Sequence, residues 1–131
     1  MASKKQTIKP RNGGEWTEAR YRSFVTSALR SASRRWPPKY AALRDALLGR
    51  KENKKTGKLA QHYKCAACTG EFVANDVQVD HIHPVVDPVI GFVSWDKYIE
   101  NMYCEVVGFQ ILCLDCHKAK TLNEKLKRKL K

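Results

Sequence analysis

The chain has 131 residues, with 25 Lys and Arg against 13 Asp and Glu, a formal net charge of +12. That length suits one small domain, or a core with an appendage, and leaves little apolar interior to stabilise it. The charge excess points to a polyanionic partner. No apolar run approaches transmembrane length and no apolar segment follows the first lysines, so the expectation is neither membrane insertion nor secretion but a reducing, cytoplasmic setting.

Residues 1–14 are rich in Lys, Gly and polar groups and read as a flexible basic arm. From Thr17 the apolar spacing becomes helical, with Tyr21, Phe24, Val25, Ala28, Leu29 and Ala32 on one face. Thr17 is the expected N-cap, Glu18 complements the positive helix start, and Trp16 is placed to staple onto Tyr21. Pro37-Pro38 ends this helix and opens a second one to about Leu48, with Gly49 just past its end. Residues 15–50 are therefore taken as a helical appendage. Arg30, Arg34 and Arg35 carry two readings, as complements to the negative helix end or as a phosphate clamp beside Trp36.

Residues 51–60 show no apolar period and read as a basic linker, either solvated or in contact with a phosphate backbone through Lys51, Lys54, Lys55 and Lys58. A core over residues 61–124 follows. Phe72, Val77 and Val79 alternate as in short strands turned at Asn75-Asp76, Ser94 is a candidate N-cap for a helix carrying Trp95, Tyr98, Ile99 and Met102, and residues 109–112 return as a strand. A last helix starts near Asp115, and residues 125–131 form a basic tail.

The chemistry concentrates between Cys65 and Thr121. Cys65-Ala66-Ala67-Cys68 and Cys113-Leu114-Asp115-Cys116 are two C-x-x-C pairs, and each pair can offer two thiolates from one tight knuckle, as a tetrahedral zinc site requires. Zinc that binds only the folded arrangement adds on the order of 10 kcal/mol to a core this small. The fifth cysteine, Cys104, reads as core packing. Between the pairs lies Val79-Asp80-His81-Ile82-His83-Pro84, and His117 follows the last cysteine directly; structural zinc requires none of these residues.

With C-x-x-C, Asp-His-Ile-x-Pro and Leu-Cys-x-x-Cys-His-x-x-Lys-Thr in this order, the chain resembles the HNH endonuclease family in its zinc-bearing form, and its layout is similar to small free-standing bacteriophage HNH endonucleases. The resemblance covers about half the chain. It implies an α+β fold with a ββα-metal (His-Me finger) core, a separate structural Zn²⁺, a catalytic divalent ion (Mg²⁺, Mn²⁺ or Ni²⁺) and duplex DNA as substrate, nicked at one strand per active site. A homodimer and phage packaging proteins are further candidate partners, in the cytoplasm of a host cell.

Phosphodiester hydrolysis needs a base for water, a cation for the charge growing on the phosphoryl and leaving oxygens, and donors that hold the phosphate. His81 suits the base, Asp80 and His117 the catalytic metal, and His83 a supporting position. Adjacent strand residues face opposite ways, so splitting these roles between Asp80 and His81 requires a bend or strand end there. Lys118 and Lys120 join Arg30, Arg34, Arg35, Lys51, Lys54, Lys55 and Lys58 as DNA contacts. One position departs from the family: its middle Asn is Gly108 here, so Asn101, Glu105, a water or backbone bonds must do its work, and Gly108→Asn is expected to raise activity with Mg²⁺ provided the backbone there does not need a positive φ. A noncatalytic zinc-ribbon DNA-binding module is the competing reading. An RNA-binding zinc protein fits the charge but gives no reason for Asp80-His81.

Overall fold

The computed structural model describes residues 7–130. Residues 1–6 of the expected arm, and Lys131, lie outside the described residues. Contacts divide the chain into two compact units, Met1–Arg34 and Arg35–Lys131. The division therefore falls before the second helix and not after it.

In the first unit, helix α1 spans Glu18–Ser33, and Thr17 caps it as expected, its hydroxyl accepting from the Arg20 N–H at 3.1 Å. Residues 11–16 are not a loose arm. Asn12, Gly13 and Gly14 all adopt positive φ, which lets the chain reverse so that the Arg11 and Trp16 backbones bond each other. Arg11 then pairs with Glu18 at 3.0 Å and lies 4.1 Å from the Tyr21 ring centroid. Trp16 packs on Phe24 at 5.3 Å between centroids, one turn beyond the Tyr21 expected. Tyr21 is already covered by Arg11.

The second unit is mixed α and β, with two small antiparallel sheets. Helix α2 (Pro37–Asp45) stops one turn short of its expected end, and Leu47 already belongs to strand β1 (Leu47–Glu52). β1 pairs with β2 (Leu59–Lys64), and β2 with β3 (Glu71–Val73). Gly49, with φ of 113°, sits at the register shift between Leu47 and the rest of β1, so it serves a bulge and not a helix end. The expected linker over residues 51–60 is thus most of a hairpin, closed by the Asn53–Lys58 turn. Its charged side chains hid the pairing because β1 is almost wholly exposed and β2 half-buries only Ala60, His62 and Tyr63, too few apolar residues to make a pattern.

After β3, a short 3-10 turn at Ala74–Asp76 leads into β4 (Val77–His81). The turn joins two sheets, since β4 pairs with β5 (Phe109–Cys113) in a register that sets Asp80 opposite Gln110 and His81 opposite Phe109. Helix α3 (Trp95–Met102) is capped by Ser94 as expected. Helix α4 runs Leu114–Lys129 with Cys113 as its N-cap, so the basic run after Lys125 continues a helix instead of forming a tail.

The core has two parts. Ala42 of α2 meets Phe109 and Ile111 of β5, joined by Trp36, Val77, Val79 and Cys104, while Leu112 packs with Cys65, Cys113 and Phe72. Trp36 also donates its indole N–H to the Cys104 carbonyl at 2.7 Å, which satisfies its polar end inside an apolar cluster. Ile111 is 3% exposed and Val107 84%. Ile111→Ala should therefore lose about 3 kcal/mol of stability in the zinc-loaded protein by urea denaturation, against less than about 0.5 kcal/mol for Val107→Ala.

Candidate metal centre and adjoining polar site

The first knuckle follows β2. Thr69 takes φ of 62°, and its N–H bonds the Cys65 carbonyl, while Cys65 N–H bonds the Gly70 carbonyl, so the chain turns back on itself within six residues. Gly70 has no room for a side chain, because a Cβ there would lie 2.8 Å from the Phe72 ring. The second pair spans the end of β5 and the first turn of α4, where helix N–H groups favour negative sulfur. The sulfurs of Cys65, Cys68, Cys113 and Cys116 all lie within 4.8 Å of one another, and no disulfide joins them. A zinc ion with Zn–S bonds of about 2.3 Å places its sulfurs about 3.8 Å apart. Cys68 and Cys113 stand at 3.9 Å.

The protonation of this cluster explains why it calls for a cation. Burial pushes the Cys65 thiol up, but N–H groups of Cys68, Cys113 and Ala67 outweigh it and bring the thiol down to about 6. Cys116 is pushed up to about 12, first by its contact with Cys113 and then by burial and the neighbouring sulfurs. Cys68 is also raised on balance, although the Gly70 N–H lowers it. One thiolate forms readily and opposes the others until positive charge enters. The residues fit a structural metal such as zinc.

A second polar site lies at the other end of the same two strands, closed by the first turns of the same helix. Asp80 is 9% exposed. Its Oδ2 accepts from Gln110 Nε2 and Lys120 Nζ, each at 3.0 Å, and its Oδ1 stands 3.7 Å from His117 Nε2. Two donors on one hard cation at about 2.1 Å lie roughly 3.0 Å apart at neighbouring octahedral positions and roughly 4.2 Å apart at opposite ones, and the Oδ1–Nε2 separation falls between the two, within reach of a shared ion. Among the described residues no third His, Cys, Asp or Glu joins them. Any cation held there takes its remaining ligands from water or substrate.

His81 ends β4, and its ring packs on Phe109 at 4.8 Å while Asp80 faces Gln110, so the two neighbours take opposite sides of the strand as alternation requires. His81 Nε2 lies 2.8 Å from the Met102 carbonyl. A carbonyl only accepts, so Nε2 carries the proton and Nδ1 keeps its lone pair. Burial lowers the His81 pKa, helped by the charges of Lys39 and Lys120 and opposed by the Met102 carbonyl and Asp80. The imidazole is held neutral with its basic nitrogen defined.

His83 is exposed, two residues further along, and lines a cavity of about 310 Å³ with Val85, Ile90, Phe92, Tyr98 and Asn101. Asn101 does hold a loop, donating to the Val85 carbonyl at 3.1 Å. At Gly108 the restraint is backbone: its carbonyl accepts from the Ile82 N–H at 2.9 Å and fixes the residue that follows His81. φ at Gly108 is not positive, so the backbone accepts a side chain, but a Cβ there would lie 2.6 Å from Cys104 Sγ, and Cys104 must shift to admit it.

Arg30, Arg34, Arg35, Lys51, Lys54, Lys55, Lys58 and Lys118 are exposed; Arg30 and Arg34 belong to the first unit and the rest to the second. Lys51 pairs with Glu71. Lys120 differs from them, being turned inward to Asp80 and Glu124. Sequence reasoning missed Gln110, the Met102 carbonyl and this inward turn, all of which depend on strand register or helix phase. No helix among the described residues is long and apolar enough to cross a membrane.

These features define a small α+β protein with a four-cysteine centre fitted to a metal such as zinc, beside a buried carboxylate paired with a half-buried imidazole. No protein-family model, curated protein or solved structure matches the chain.

Purified protein should carry one zinc per chain by elemental analysis, and chelation should unfold the second unit by circular dichroism; less than half an equivalent, or a disulfide within the cluster, contradicts this. Gly108→Asn should destabilise the protein by about 1–3 kcal/mol through overpacking, with much of the loss recovered when Cys104→Ala is added. Chemical denaturation of the single and double variants decides it.

Proposed function

We propose that the protein is a metal-dependent DNA endonuclease of the HNH type, in which β4, β5 and α4 form a ββα-metal core. The observation that carries this reading is the approach of Asp80 Oδ1 to His117 Nε2 at 3.7 Å, next in sequence to an imidazole with a defined basic nitrogen. Asp80 and His117 would hold a divalent ion, which when bound neutralises charge on the phosphoryl and leaving oxygens. His81 takes a proton from water through Nδ1, and the Met102 carbonyl stabilises the imidazolium that results.

A phosphodiester laid across the end of β4 meets the imidazole on one side of the strand and the Asp80–His117 pair on the other. β4 ends at His81, so a phosphodiester passing round the strand end reaches both sides. One carboxylate and one imidazole, with water completing the coordination, favour Mn²⁺ or Ni²⁺ over Mg²⁺, which relies on hard oxygen ligands. The formal charge of +12 and the exposed lysines of the β1–β2 turn and of Lys118 give duplex affinity with little sequence dependence. One site per chain cuts one strand.

Supercoiled plasmid with Mn²⁺ should convert to open circles, and binding should weaken steeply between low and physiological salt. His81→Ala should lower kcat by at least about 100-fold while zinc content and DNA affinity stay near wild type, because the base acts only in the transition state. Salt-sensitive binding without nicking in any of the three metals would favour the noncatalytic DNA-binding module, the reading that Gly108 in the family's Asn position supports.

A further inference from the structure

Lys120 lies one helical turn after His117, on the same face of α4, and its side chain is only 24% exposed. Its ammonium reaches Asp80 Oδ2 at 3.0 Å, Glu124 Oε1 at 2.9 Å and the His81 carbonyl at 2.7 Å. An ammonium has three N–H donors, and these three acceptors use them all. None remains for a DNA phosphate, the role expected from the sequence.

The same bonds fix the two groups that the proposed mechanism needs. With Gln110 and Lys120 both on Oδ2, the Asp80 carboxylate cannot rotate without losing two hydrogen bonds, and Oδ1 is the oxygen left facing His117. The bond to the His81 carbonyl ties the last residue of β4 to α4, and the Gly108 carbonyl holds the residue after it. Glu124 balances the ammonium, so the lysine can stand beside a metal ligand without adding net positive charge.

We propose that Lys120 is a positioning residue, which turns Asp80 Oδ1 toward the cation position beside His117 and locks the strand end that carries His81. The inference rests on the endonuclease reading, but its test does not require cleavage. Lys120→Met keeps the length of the side chain and removes the donors; Lys120→Arg restores donors with altered geometry. Zinc-loaded proteins are compared for Mn²⁺ binding without DNA, by electron paramagnetic resonance titration, and for duplex affinity as a function of salt.

Lys120→Met should weaken Mn²⁺ binding about tenfold, the scale for losing a group that orients a ligand, and Lys120→Arg should recover part of it. Zinc stoichiometry, duplex affinity and its salt slope should stay at wild-type values, and in the nicking assay kcat should fall with KM unchanged. Unchanged Mn²⁺ affinity with a salt slope reduced by about one phosphate contact would make Lys120 a DNA contact and overturn the inference. A wild-type protein that binds no Mn²⁺ beyond its zinc overturns it too. Mn²⁺ binding without nicking ends the endonuclease reading alone, and the comparison of variants still decides the role of Lys120.

Discussion

The arrangement of four thiols around one point is the constraint on which the second unit depends. It joins three places that the sheets alone do not: the knuckle after β2, the end of β5 and the first turn of α4. β2 and β5 belong to separate small sheets, linked nearby by the Ala66 N–H to the Ile111 carbonyl at 2.8 Å. A two-stranded sheet alone is marginal, and although α2 packs Ala42 on Phe109 and Ile111, the buried core is small. Four thiols within 4.8 Å of one another can hold a metal such as zinc, which would supply the missing cross-link.

The carboxylate–imidazole pair inherits its geometry from that cluster. Cys113 closes β5 and caps α4, which fixes both the register of Gln110 against Asp80 and the rotational phase of the helix. His117, next to the last cysteine, and Lys120, one turn on, are then directed at the same carboxylate from a single helix face. A site built from one strand pair and one helix needs such an anchor, since a small rotation of α4 would carry both side chains past Asp80. The cysteine cluster at one end of β5 thus sets the polar chemistry at the other.

How far this was legible in the sequence follows from the kind of signal each part leaves. C-x-x-C spacing reports ligand geometry directly, and the four cysteines converge as the spacing requires. Caps are local as well, which is why Thr17 and Ser94 were found. The β1–β2 hairpin was missed because β1 is almost wholly exposed and β2 turns only Ala60, His62 and Tyr63 inward, too little to impose an apolar alternation, and its lysines read equally well as linker. Pro37-Pro38 marked the start of α2, but nothing local to Leu47 announced a strand, whose reason is its partner Tyr63. Lys120 shows the deeper limit: a lysine in a basic chain reads as surface charge until a buried carboxylate is found within its reach.

Gly108 shows how a side-chain function can pass to the backbone. The sequence posed it as a deficit, a place where a loop pin was missing. In the fold its carbonyl holds Ile82, the Met102 carbonyl orients His81, and Asn101 secures Val85 further along the same loop. These are three separate restraints on one stretch of chain, two of them invisible as residue types because any residue has a carbonyl. Glycine suits the position for a different reason: Cys104 Sγ occupies the space that a Cβ would take. An Asn at this position would therefore compete with the core for volume while adding a restraint that carbonyls already provide, and the two changes, at Gly108 and at Cys104, are linked by packing.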